Sequence, residues 1–173
     1  MKKLGLMLCF SLLLLSGKAQ NLVSDFLQKQ PDAEEFTQVN VSPKMFQLLS
    51  DFADEETDGI IRNLTGMRIV VAEANAEKYF AQVKSMIGKR KEYEELMTVR
   101  EEAEKVEMYI RENNGSVSEL VILVANGEEF VLMNFTGKID LKKIAKLTKA
   151  VPVGGIEYLD KVKDASRKNE ESR

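Results

Sequence analysis

Two Asn-Gly dipeptides, Asn114-Gly115 and Asn126-Gly127, bracket a ten-residue run from Ser116 to Ala125 dominated by Val, Leu and Ile. Asn-Gly supplies the two positive φ angles that a two-residue type I′ turn demands. Apolar runs on either side of it therefore read as paired antiparallel strands. A third turn is expected at Glu102-Ala103. The three turns divide the segment into four strands, Tyr93–Glu101, Glu104–Asn113, Ser116–Ala125 and Glu128–Thr136, an antiparallel meander.

A two-residue turn also dictates which residues face each other. Leu123 then faces Phe130, Val106 faces Leu123, and Val99 faces Val106. One face collects Met97, Val99, Val106, Met108, Val121, Leu123, Phe130 and Leu132, and is expected to form the core under helices. The opposite face carries Leu120, Ile122, Val124, Val131, Met133 and Phe135 beside Arg100, Lys105, Glu107 and Arg111. A sheet face open to water should be polar. That half-face calls for a cover: another helix, the C-terminal segment or a partner. Its six apolar residues are the candidate interaction surface.

Helical spacing of Leu22, Val23, Phe26 and Leu27 predicts a helix ended by Pro31. A short strand is expected around Phe36, Val39 and Val41. Ser42-Pro43 reads as a helix start, with Met45, Phe46, Leu48, Leu49 and Phe52 as its apolar stripe. The acidic stretch from Asp54 to Asp58 interrupts. A short helix then runs through Ile60, Ile61 and Leu64 to a stop at Gly66. Met67 to Ala72 reads as a strand. Asn75 is placed as the cap of a further helix with Tyr79, Phe80, Val83, Met86 and Ile87 inward and Gly88 at its end. Asp140 is expected to cap a last helix with Leu141, Ile144, Ala145 and Leu147. The fold class that follows is α+β: a meander of four or more strands packed on helices and preceded by N-terminal helices.

Met1-Lys2-Lys3, the apolar run from Leu4 to Leu15, and Gly17-Lys18-Ala19 make the three-part pattern of a secretory signal peptide. Twelve helical residues rise about 18 Å, well short of the roughly 30 Å hydrocarbon core, so a membrane span is not the reading. The organisation expected is a leader over 1–19, one domain over 20–150, and a polar C-terminal extension over 151–173. The only cysteine, Cys9, falls within the leader. A lipoprotein cysteine would stand where Gln20 does, so a free chain in the periplasm or outside the cell is expected, without a transmembrane anchor. Removing Lys2, Lys3 and Lys18 from the 25 basic residues leaves 22 against 28 acidic ones, a net of −6. That balance disfavours nucleic acid, which binds through clustered positive charge.

The chain has no histidine. Histidine-based triads and the usual imidazole or thiolate metal sites are therefore not available to it. An acid–base enzyme would have to run on carboxylates, and no pair stands out. The run Asp54-x-Glu56-x-Asp58-Gly59 resembles the start of a calcium loop, but Thr65 holds the twelfth position where a bidentate carboxylate is needed. No catalytic, cofactor or metal residue is assigned.

The run from Tyr93 to Leu147 carries Tyr93-Glu94-Glu95-Leu96-Met97, Ser118-Glu119-Leu120-Val121-Ile122-Leu123-Val124, Phe130-Val131-Leu132 and Thr136-Gly137-Lys138-Ile139-Asp140-Leu141. It resembles the domain of unknown function 4252 family, small exported proteins of Bacteroidota. The resemblance implies residence in the periplasm or at the surface and brings no catalytic roles. The expected function is that of a non-enzymatic envelope protein binding an unknown protein partner through a sheet face. A small-ligand or lipid carrier with an apolar pocket, and a carboxylate-based hydrolase, are the alternatives.

Overall fold

The computed structural model describes residues 21–102 and 104–141. The expected leader, the helix beyond Leu141 and the C-terminal extension lie outside these residues, as does Ala103 of the third turn.

The described chain is α+β. In order it forms α1 (Leu22–Gln28), β1 (Thr37–Val41), α2 (Pro43–Ser50), α3 (Glu55–Ile61), β2 (Leu64–Ala72), α4 (Ala76–Gly88), β3 (Glu94–Glu101), β4 (Glu104–Asn113), β5 (Ser116–Ala125) and β6 (Phe130–Ile139). The strands make one antiparallel sheet in the order β1-β2-β6-β5-β4-β3. The expected meander supplies four of the six strands. The earlier β1–β2 pair adds to it along β6, a pairing between segments distant in sequence.

Local chemistry starts the helices. Asn21 Oδ1 accepts the Val23 and Ser24 N–H groups, and Ser42 Oγ accepts Met45 N–H ahead of Pro43. Two expectations are corrected here. The acidic stretch does not interrupt a helix but begins one: Asp54 Oδ1 accepts Thr57 N–H at 2.7 Å and α3 ends at Ile61, so Leu64 and Gly66 belong to β2. Asn75 sits in the left-handed region at φ 56° and makes no side-chain capping bond.

The meander turns were read correctly in one case and partly in another. Asn114 and Gly115 have φ of 51° and 71°, as a type I′ turn requires. At Asn126-Gly127 only the glycine has positive φ, 89°. Asn126 instead turns its side chain inward, accepting Glu128 N–H at 3.3 Å and Glu129 N–H at 2.7 Å. Four residues form that loop, β6 starts at Phe130, and Leu123 faces Leu132.

A β-bulge corrects the expected faces. Asn113 pairs with Ser116 and Glu112 with Val117, but Arg111 pairs with Glu119, so Ser118 is an extra residue in β5. One inserted residue turns every later side chain of one strand to the other face of its neighbour. Val106 therefore faces Val124 rather than Leu123, and Met108 faces Ile122. The eight residues expected on one core face are divided. Val121, Leu123, Phe130 and Leu132 lie with α1 and α4; Val106 and Met108, with Met97 and Val99 packed against them, lie on the other side.

Both faces are buried. On the first, the rings of Phe26, Phe36, Tyr79 and Phe130 fill the layer between α1, α4 and the sheet, with centroids 5.0–6.0 Å apart. The second holds Met67, Ile69, Ile122, Val124 and Met133 with Phe46 of α2 and Ile60 and Ile61 of α3. Gly137 marks the bulged end of β6 at φ 135°. A Cβ there would lie 2.2 Å from the Asn63 carbonyl oxygen, the atom that accepts Lys138 N–H at 2.9 Å.

Candidate functional site

Leu120, Ile122, Val124, Val131, Met133 and Phe135 share one sheet face as expected, but each is only 0–1% exposed. They form core, not an open surface. The physical reason is the bulge: it adds Val106, Met108 and Ile110 to that side and sends Lys105, Glu107 and Arg111 to the other, leaving an apolar face that packs inward.

The displaced polar residues form two buried networks on the α4 face. Glu107, 1% exposed, is held by Lys84 of α4, by the Tyr109 hydroxyl donating at 2.6 Å, and by Arg100 at 3.6 Å. Burial alone would raise its carboxyl; the bonds from Lys84 and Tyr109 and the charge of Lys84 outweigh that, and its pKa falls below the ordinary value. Burial, then the Glu107 carboxylate, push the Tyr109 phenol upward. Glu119 accepts from the Tyr93 hydroxyl at 2.8 Å and Asn134 Nδ2 at 2.7 Å, and pairs with Arg111 at 2.5 Å.

These are the buried carboxylates a hydrolase would need. Glu107 faces Leu123 and Glu119 faces Arg111, four residues further along β4. At about 3.3 Å per residue their backbones stand roughly 13 Å apart. Glu107 is also held ionised, where a general acid needs a raised pKa. The arrangement anchors α4 and β3 to the sheet.

The clefts mix charged and apolar lining. One of about 460 Å³ lies between α1 and α4, lined by Asp25, Gln28, Lys29, Met86, Lys89 and Arg90, and is crossed by the Arg90–Asp25 ion pair. Another of about 360 Å³ runs along α2, between Pro43, Phe46 and Leu64 on one hand and Ser50, Asp51 and Arg62 on the other. A third of about 580 Å³ is lined by Glu112, Val117, Lys138, Ile139 and Leu141 among others. In the calcium-like stretch, Asp54 caps α3 and Asp58 is engaged by Arg62 and Ser50. The Arg62 and Ser50 bonds lower the Asp58 carboxyl. Among the described residues no group of three or more acidic, His or Cys side chains is placed to hold a metal ion. Nor is any helix among them long and apolar enough to cross a membrane.

The largest unexplained feature is α2. It rests on the sheet through Phe46 and is tied to α3 by Ser50, whose hydroxyl meets Asp58 and Arg62 Nε. That leaves Met45, Leu48 and Leu49 outward at 47%, 47% and 42% exposure, with Phe52 in the next turn at 89%. Met45, Leu48 and Leu49 share one side of α2, and Phe52 follows in the turn beyond the Asp51 C-cap. Four neighbouring apolar side chains exposed to this degree form the kind of surface patch that marks an interaction site. In the sequence these four form one apolar stripe with Phe46. Phe46 lies about 60° around the helix from Leu49, no further than Leu48 lies from Met45, so spacing alone did not separate the buried residue from the exposed ones.

A family model described as a domain of unknown function (DUF4252) matches residues 28–147. No curated protein and no solved structure matches the chain.

Proposed function

We propose, for a chain that belongs to the DUF4252 family, that it is an exported, non-enzymatic protein of the cell envelope that docks another polypeptide through the outward stripe of α2. Export is read from Lys2, Lys3, the Leu4–Leu15 run and Ala19. The observation that carries the docking role is the exposure of Met45, Leu48, Leu49 and Phe52 on one side of a helix whose other side is locked down. Met45, Leu48 and Leu49 at i, i+3 and i+4 are the anchors by which an amphipathic helix enters an apolar groove on a partner, and Phe52 extends them past the C-cap. A sheet face is replaced by a helix face as the surface; the partner-binding role is kept.

The test is a photo-crosslinking residue at position 48 in the producing cell, with the exposed β1 position 38 as control. A discrete polypeptide adduct from position 48, absent from position 38, is expected. Equal or absent adducts at both positions contradict the reading.

A further inference from the structure

We infer that Asn114 is a site of spontaneous deamidation, in which the backbone nitrogen of Gly115 displaces the side-chain amide nitrogen, and that the fold withholds the same reaction from Asn126. The inference stands apart from the docking role of α2.

Both asparagines precede a glycine, and asparagine is among the thermally labile residues. The reaction needs only water. The Gly115 nitrogen, its proton passed to solvent, attacks Asn114 Cγ. The N–Cγ bond forms as the Cγ–Nδ2 bond breaks, and Nδ2 leaves as ammonia. Water then opens the succinimide ring at either carbonyl, leaving aspartate or isoaspartate at position 114. The sum is hydrolysis of an amide, with no oxidation or reduction.

The β4–β5 turn leaves this path open. Asn114 and Gly115 are its two central residues, and both are exposed. The ladder closes at the Asn113–Ser116 pair, so the Gly115 N–H lies outside it and is free to lose its proton. Glycine has no side chain to shield that nitrogen, and nothing lies within 4 Å of where a Cβ would stand. Among the described residues no hydrogen bond holds the Asn114 carboxamide.

Asn126 is restrained. Its Oδ1 accepts Glu128 N–H at 3.3 Å and Glu129 N–H at 2.7 Å, and its own N–H donates to the Glu129 carbonyl at 3.1 Å. The carboxamide is thereby committed to backbone beyond Gly127. Both side-chain bonds must break before attack. At the net worth of ordinary hydrogen bonds, that slows position 126 by about tenfold or more.

Conversion at position 114 bears on the sheet. Isoaspartate routes the main chain through Cβ and adds an atom to a two-residue turn, whose length sets the pairing of Asn113 with Ser116.

The experiment is peptide mapping by mass spectrometry of the purified full chain, stored at mildly alkaline pH and sampled with time. In the folded chain, aspartate and isoaspartate are expected at position 114 at least about tenfold faster than at position 126. In the same buffer with enough urea to unfold the chain, the two positions should convert at similar rates. Equal rates in the folded chain, faster conversion at position 126, or no conversion at either position overturns the inference. So does a difference of the same size in urea, which would assign it to local sequence and not to the fold.

Discussion

The Tyr109 hydroxyl donates to Glu107 Oε2 at 2.6 Å, two residues along the same strand, in a layer where Glu107 is 1% exposed. The bond, together with Lys84 from α4, keeps a carboxylate ionised inside the protein. A charge in such a place depends on every partner it has.

Its pH dependence follows from the direction of the shift. The folded-state pKa of Glu107 is lowered below its ordinary 4.5, so its contribution to stability is fully present above about 4.5. It is lost as pH falls through the lower, folded value. Urea unfolding of the native chain and Glu107→Gln should show a gap at pH 7 that narrows steadily below pH 4.5. A gap that widens on acidification would contradict this.

Lys84→Ala removes the nearer cation from Glu107. Breaking a fully buried pair from one side costs about 3–5 kcal/mol. Lys84 is 42% exposed and Arg100 remains at 3.6 Å, so a loss of about 1–2 kcal/mol is expected after allowing for solvent screening. Denaturant midpoints at constant slope measure it.

Two glycines should respond in opposite directions. Gly137→Ala places a methyl group against the Asn63 carbonyl at a φ of 135°, and a loss of about 3 kcal/mol or failure to fold is expected. Gly88 ends α4 with open space around it, so Gly88→Ala should stabilise by about 0.5 kcal/mol through helix propensity. Thermal melts of the two variants decide the matter.

How much was legible varied with how local each cause is. Asn114-Gly115 identified its turn outright, because the backbone φ at those two residues is what Asn-Gly favours. Asn126-Gly127 looked identical, yet Asn126 uses its side chain as an acceptor and lengthens the loop by two residues. A shift of two preserves the faces, so the β5–β6 partition survived. The bulge at Ser118 did not announce itself: nothing in a serine marks an inserted residue, and one such insertion reversed β3 and β4 against β5 and β6. The α2 stripe was legible as an apolar helix but not as an outward one, since its orientation depends on where Phe46 and the Ser50–Arg62 contact settle.

The leader reading has a direct check. N-terminal sequencing of the chain recovered from the cell envelope should begin at Gln20. A chain found only in the cytosol and still starting at Met1 would contradict export.

The docking role of α2 is tested most directly by fluorescence, because the chain contains no tryptophan. Phe52→Trp puts a single reporter on the stripe, at a position that is 89% exposed in the isolated chain. The emission should start red and quenchable by iodide. It should shift to the blue and become protected as envelope extract is added, and Leu48→Glu should abolish the shift. An emission that stays red and quenchable under every one of these conditions would contradict the account.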